Sequence, residues 1–364
     1  MRFLVITFAP LLERDGIFYS YGPYVTEMNI WLKYSEEVAF CCPTKYSGGD
    51  LLLSSFDRQD IKVYPVPELM TKDILRPWKL IESIFQMRRG IRWADHIHLR
   101  CPGNIGLLGC LVQIFFPVKQ KTAKYAGNWD WKSKQPWSYR MQQRILRNTF
   151  LTSNMTALVY GEWPDKTKNI KPFFTASYSE KERIPVSKQP FSEGIRLAFV
   201  GTLTENKSPL TSLEVLRELR DKGIDANLTF CGEGPQRIIL EQKISEYGLK
   251  DNVSLLGNVS AEKVKEVLID SHFLIFISRS EGWPKAVSEA MWWGCLPITT
   301  PVSCVPWMLD NGKRGELVKG DVNEIFTIIK GYLSNERSFE TKSREAIKWR
   351  SEEHTSELQS PNTI

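Results

Sequence analysis

The chain has 364 residues, 42% of them apolar and 25% charged, with a formal net charge of +6. That length exceeds one ordinary domain and fits two of moderate size, and the apolar fraction suffices for two cores. No run approaches the ~20 apolar residues of a spanning helix, and MRFLVITFAP lacks the length and flanks of a signal peptide, so a membrane-spanning or exported chain is not expected.

In chain order, Arg2–Phe8 reads as a first core strand and Tyr24–Tyr34 as a helix, after a loop holding Asp15, Gly16 and Gly22. Val38–Cys42 and Ile61–Val66 are further strands, Pro77–Gly90 a basic amphipathic helix, His96–Leu99 a strand and Asn104–Phe115 an apolar helix. Thr122–Tyr125 and Ala157–Tyr160 complete an expected parallel sheet. Between Arg100 and Phe150 nine Lys/Arg face a single acid, Asp130, with Tyr125, Trp129, Trp131, Trp137 and Tyr139 interleaved. Such a stretch suits an acceptor surface, with aromatic faces for sugar rings and positive charge for lipid phosphates or an anionic bilayer. It equally suits a solvated basic face with the aromatics packed beneath it. Nucleic acid needs the same ingredients, but nothing else in the chain supports it. His96 and His98 share one strand face; two histidines alone do not make a metal site, and the chain contains no DxD. The seven cysteines (41, 42, 101, 110, 231, 295 and 304) form no C-x-x-C pair and fall mostly in apolar runs, which reads as reduced core thiols in a cytoplasmic protein.

Ser177–Glu193 is polar, contains Pro185 and Pro190, and reads as the interdomain linker. A second alternating set follows: strand Arg196–Val200 leading into GTLTENKSP, a helix from Pro209 to Lys222, strand Asn227–Cys231 leading into GEGP, and the helix Pro235–Tyr247. The stretch Phe273–Thr300 then reads strand, turn, helix, strand, with Pro284 suited to the first helical turn and Gly294 to its stop. Its two carboxylates, Glu281 in the turn and Glu289 in the second helical turn, flank the exposed N–H groups of the helix start. Amides that suit phosphate, beside acids that accept pairs of hydroxyls, describe a nucleotide-sugar site. A pair of solvated glutamates on an amphipathic helix is the plainer alternative, and a glycosidase carboxylate pair is another.

SEGWPKAVSEAMWWGCLPIT resembles the E-x7-E motif of retaining glycosyltransferases of family four, whose fold is GT-B. Glu281, Gly282, Glu289, Ala290, Met291, Gly294 and Pro297 match the pattern, which departs at Pro284 and Lys285. The segments G-T-L-x3-K and G-x-G-P match the donor domain of that family in the correct order. The resemblance implies an α/β protein of two Rossmann-like domains facing across a cleft: an acceptor-binding domain over 1–180, a nucleotide-sugar domain over 194–335, and a closing helix beginning at 336–349. It implies that Gly201, Thr202, Lys207, Gly232, Gly234, Glu281, Gly282, Trp283, Pro284, Lys285, Ala286 and Glu289 line the donor site. In that scheme Lys207 neutralises the diphosphate, Glu281 holds the sugar and Glu289 the ribose, with Lys207 and Glu281 the catalytic pair. Thr202 stands where an arginine is frequent, and Tyr125 where several relatives have their active-site histidine. On the acceptor side His98, Arg100, Tyr125, Asn128 and Trp129 are candidates.

The expectation is therefore a retaining enzyme that moves a sugar from a nucleotide-diphospho-sugar to a glycan or lipid-linked acceptor in cell-surface polysaccharide synthesis, with no metal or other cofactor. It would be cytoplasmic, with an anionic membrane surface as a possible partner. An epimerase or phosphorylase on the same fold, or a non-catalytic carbohydrate- or polyanion-binding protein, are the alternatives. Finally, RSEEHTSELQS within 350–364 resembles the translation of a sequencing-library adapter, so that tail is expected to be non-native and without a packing role.

Overall fold

The computed structural model describes residues 1–46, 53–70, 77–173, 178, 182 and 184–357, leaving aside the side chains from 350 onward. The chain forms two compact units that divide after Phe173. In the first, seven strands make one parallel sheet: β1 (Arg2–Ile6), β4 (Glu37–Cys42), β6 (Ile61–Pro65), β7 (His96–Cys101), β8 (Gln120–Tyr125), β9 (Met155–Tyr160) and β10 (Ile170–Phe173). Their order is β10-β9-β8-β7-β1-β4-β6. Parallel strands covered on both faces read as unbroken apolar runs, and β1 shows why. Phe3 and Val5 pack with Val25 and Met28 of α1 (Gly22–Leu32), while Leu4 and Ile6 point to the opposite face. On that face they share a core with Met87 and Ile91 of α2 (Pro77–Trp93), Ile105 and Cys110 of α3 (Asn104–Val112), and Ile145 and Leu146 of α4 (Trp137–Arg147).

The loop expected to hold Asp15 and Gly16 is instead the turn of a hairpin between β2 (Leu12–Arg14) and β3 (Ile17–Tyr21), with β5 (Leu53–Ser55) as its third strand. Asp15 and Gly16 both take positive φ, 53° and 75°, as a two-residue hairpin turn requires.

The second unit contains a six-stranded parallel sheet ordered β13-β12-β11-β14-β15-β16. Its strands are β11 (Ile195–Val200), β12 (Ala226–Cys231), β13 (Val253–Leu255), β14 (Phe273–Phe276), β15 (Leu296–Thr299) and β16 (Glu316–Leu317). They alternate with α5 (Pro209–Asp221), α6 (Arg237–Glu246), α7 (Ala261–Asp270), α8 (Lys285–Trp292), α9 (Val305–Met308) and α10 (Val322–Ser334), and α11 (Glu336–Glu357) ends the described chain. Gly294 stops α8 at φ +65°, where Cys295 N–H donates back to Ala290 O at 2.9 Å.

Two boundaries differ from the sequence reading. The described part of the expected linker belongs to the second unit. Phe191 stacks on Phe273 and meets Phe339 edge-on, and half-buried Lys188 Nζ donates to Leu268 O and Ile269 O, both at 2.7 Å. A polar, proline-bearing segment can still be anchored by one aromatic and one donor. Residues 177, 179–181 and 183 of that linker lie outside the described residues. The closing helix is also longer than 336–349, since its backbone runs on to Glu357. Phe339, Ala346 and Trp349 are buried, and both Phe339 and Trp349 make ring contacts within this unit, Trp349 with Trp307.

Candidate functional site

In the second sheet β11 connects to β12 on one side while β14 lies on its other side. The loops after β11 and β14 therefore leave the sheet at its switch point, the place where open α/β sheets bind ligands. The first loop begins at Gly201 and ends in a 3-10 turn, Glu205–Lys207; the second is Ile277–Pro284. A third loop, Gly232–Pro235, follows β12 and is pressed against the first. A Cβ on Gly232, whose φ is +147°, would lie 1.9 Å from Gly201 O, and one on Gly234 2.5 Å from Leu203 O. Only glycine permits that approach. Leu203 N–H donates to Glu233 O at 2.9 Å, which ties the two loops together.

Across the switch point Lys207 Nζ donates to Glu281 Oε1 at 2.7 Å and lies 4.7 Å from the centre of the Phe276 ring. Ser278 Oγ donates to the same carboxylate oxygen at 2.7 Å. The pair is only partly shielded, 20% and 13% exposed, so both charges are available to a ligand. Glu281 Oε2 has no hydrogen-bond donor among the described residues. The turn itself is pinned from the segment after β15: Thr300 Oγ1 accepts from Ser278 N–H at 3.1 Å and donates to Ser278 O at 2.6 Å, while Ser303 Oγ donates to Gly282 O at 2.8 Å.

Glu289 sits one helical turn beyond Lys285, whose ammonium lies 3.6 Å away, and its side chain is 12% exposed. The Tyr178 phenol is pushed up to about 12, by burial first and by the Glu289 carboxylate second. Pro284 is buried at the start of α8, Lys285 is exposed, and Gly282, Trp283 and Ala286 are half-buried. Thr202 is exposed beside Gly201. The donor-site residues expected from the sequence thus all fall in these three loops and the start of α8. Asn206, Ser278, Thr300 and Ser303 were not singled out there; their partners are distant in sequence, so only the folded loops show them.

The candidates in the first unit fare differently. Tyr125 and Trp129 are fully buried, packed edge to face with ring centres 5.0 Å apart, and offer no ring face to a ligand. The reason is that β8 is paired on both sides and its end is roofed by the core shared with α3 and α4. Asn128 is occupied in a turn, its Oδ1 accepting from Asp130 N–H at 2.9 Å. His98 is buried with Nδ1 2.8 Å from Thr122 Oγ1, and burial holds its imidazolium well below the usual range, so the ring is neutral. Its Nε2 has no partner among the described residues. Arg100 and Lys124 both donate to Glu27 Oε1, at 2.5 and 2.8 Å, and together they lower the Glu27 pKa against the opposing effect of burial. The basic stretch is accordingly less of a surface than its composition suggests. Lys121 is also interior, bonded to Gln113 Oε1 at 2.9 Å, and Arg147 pairs with Asp165 at 2.8 Å. Lys132, Lys134, Arg140 and Arg144 do remain exposed, with Trp131 and Trp137.

Comparison with known proteins bears on the second unit and on the fold. Residues 180–353 match the family model described as glycosyl transferases group 1. One component of the human phosphatidylinositol N-acetylglucosaminyltransferase is 33% identical over 117 residues, 32% of this chain and 24% of that protein. A putative colanic acid biosynthesis glycosyltransferase, WcaL, of Escherichia coli K12 is 30% identical over 130 residues, 34% of this chain and 32% of that one. The match thus spans only about a quarter to a third of the length of these curated relatives. The crystal structure of Anabaena HepE in complex with UDP superposes with a TM-score of 0.69 at 12% identity, covering 100% of both chains. Residues 180–353, just under half of the chain, thus resemble the group 1 glycosyltransferases, and the chain carries the two-domain GT-B fold.

Proposed function

We propose that this chain is a retaining glycosyltransferase that moves a sugar from a nucleotide-diphospho-sugar to a glycan or lipid-linked acceptor, in the synthesis of cell-surface polysaccharide. The observation that carries the reading is the Lys207–Glu281 pair at the switch point, beside two loops that glycine lets pack backbone to backbone. Lys207 meets the diphosphate, Glu281 accepts hydroxyls of the sugar through its remaining oxygen, and Glu289 holds the ribose. In the transfer the acceptor oxygen bonds to the anomeric carbon as the bond from that carbon to phosphate breaks, and the hydroxyl proton passes to the departing diphosphate. The protein's part is positioning and charge stabilisation. With Lys207 and helix amides neutralising the leaving group, the reaction proceeds without a metal, and chelator leaves activity intact. The relatives named for transfer to phosphatidylinositol and for colanic acid synthesis support a lipid-linked or glycan acceptor.

The same reading places the protein in the cytoplasm at an anionic membrane surface. Among the described residues no helix is long and apolar enough to cross a membrane. What supports a peripheral contact is the helix layer of the first unit, where α3 packs between α2 and α4. Exposed on these helices are Ile81 and Phe85 on α2 and Trp137 and Met141 on α4, with Phe115 and Val118 exposed after α3. Arg89, Arg92, Arg140 and Arg144 are exposed on the same helices. Apolar anchors set among arginines suit an anionic bilayer.

The deciding experiment incubates the protein with UDP-, GDP- and ADP-sugars, with and without acceptor glycans, and measures free nucleoside diphosphate. Release that depends on acceptor is expected. Release without acceptor, or conversion of the sugar nucleotide alone, would instead indicate an epimerase; sugar phosphate formed from glycan and orthophosphate with no release would indicate a phosphorylase; and no nucleotide affinity at all would leave a carbohydrate-binding protein.

A further inference from the structure

The 3-10 turn Glu205–Lys207 contacts the Ser278–Glu281 segment with each of its three residues in succession. Glu205 Oε1 accepts from Arg279 Nη1 at 2.8 Å, Asn206 O accepts from Arg279 N–H at 2.9 Å, and Lys207 reaches Glu281. The central residue makes the most of these contacts. Asn206 Nδ2 also donates to Ser278 Oγ at 3.2 Å and to Ser280 O at 3.0 Å. A carbonyl oxygen can only accept, so the amide is oriented with its nitrogen toward Ser280. Ser278 has one proton to give, and the short contact to the Glu281 carboxylate takes it, which leaves its lone pair for Asn206.

We infer that Asn206 is a positioning residue of the donor site. It does not meet the donor; through Ser278 and Ser280 it sets where the Glu281 carboxylate stands relative to Lys207. The inference rests on the donor-site reading above. With Oε1 held by Lys207 and Ser278, Oε2 is the oxygen presented to a sugar hydroxyl, and its direction depends on the rotamer that Ser278 and the turn enforce. Misplacement of a catalytic group by about 1 Å costs roughly a hundredfold in rate. Such a role predicts a defect confined to the sugar and the transfer step, because Lys207 and the glycine loops still hold the diphosphate.

The test compares Asn206→Ala and Asn206→Asp with wild type by calorimetry, using a nucleoside diphosphate and its sugar conjugate, and by transfer kinetics. Aspartate keeps the shape but cannot donate, and it turns an oxygen toward the Ser280 carbonyl. Both variants are expected to lose kcat by roughly ten- to a hundredfold and to lose the affinity increment that the sugar adds. Bare nucleoside diphosphate should bind within about threefold of wild type, with a melting temperature within about 3 °C. Ser278→Ala should reproduce the defect, Ser278→Thr should recover most of it, and the Asn206→Ala/Ser278→Ala double variant should be no worse than either single one. Unchanged kcat, additive losses, or parallel losses of bare-nucleotide affinity and melting temperature would each overturn the positioning role alone. A wild-type protein that binds no nucleotide would overturn the donor-site reading, and this inference with it.

Discussion

Lys207 and Glu281 neutralise each other in the free protein, and that pairing changes what their substitution should do. Removing the Glu281 charge in Glu281→Gln leaves Lys207 without its counter-ion, so titration with bare nucleoside diphosphate should show equal or somewhat tighter binding while transfer falls. A loss of bare-nucleotide affinity equal to that of Glu289→Gln would count against the separate roles. Glu289→Gln replaces one acceptor oxygen with a donor. Loss of a charged hydrogen bond is worth ~1.5–3 kcal/mol, so nucleotide binding should weaken roughly ten- to a hundredfold. Lys207→Ala should weaken nucleoside diphosphate far more than nucleoside, and equal losses for the two ligands would sink its assignment to phosphate. The placement of Glu281, Glu289 and Lys207 in the loops at the switch point and at the start of α8 was legible in the sequence because each belongs to a short motif with its own spacing.

At the scale of elements, loop packing and exposed helix faces make the testable claims. A Cβ on Gly232 would enter the carbonyl of Gly201. Gly232→Ala should therefore cost ~2–4 kcal/mol, measurable in denaturant, and abolish nucleotide binding by parting the two loops. The exposed side chains of α2 and α4 predict sedimentation with anionic but not neutral liposomes. That binding should be lost at high salt as the Debye length falls from ~10 Å at 0.1 M to ~3 Å at 1 M. Ile81→Ser with Phe85→Ser should reduce liposome binding at least about tenfold at an unchanged melting temperature, since both side chains are exposed. Equal sedimentation with both liposome types would refute the membrane contact. The alternation of strand and helix was readable from apolar runs and turn residues. The hairpin of the first unit was passed over, although Asp15-Gly16 is a strong hairpin signal, because its strands β2 and β5 are only three residues long.

For the molecule as a whole, the end of the chain offers a contrast. Phe339 is 3% exposed and meets Phe191, Phe273 and Tyr332, so Phe339→Ala should cost ~3–5 kcal/mol. Deleting Arg350–Ile364, which begins after the last described buried side chain, should change stability by less than ~0.5 kcal/mol. A clear fall in melting temperature on that deletion would show the tail to be packed. Nucleoside diphosphate should raise the melting temperature in proportion to its saturation, as any ligand specific for the folded state does.

Local chemistry accounts for what the sequence alone determined. Buried parallel strands must be apolar along their length, helix stops need glycine, and the proposed nucleotide-sugar site needs acids, a lysine and glycines at set intervals, so fold class and the positions of the candidate donor residues were written in short segments. Tertiary structure decided which charges and rings stay at the surface. Arg100, Lys121 and Lys124 look like part of a basic face, yet the sheet turns them inward onto Glu27 and Gln113, and it buries Tyr125 and Trp129 beneath two helices. Composition counts a charge or a ring wherever it falls. Only the packing of neighbouring strands and helices settles whether water or another side chain receives it, and that packing also brought Asn206 to Ser278 across 72 residues of chain.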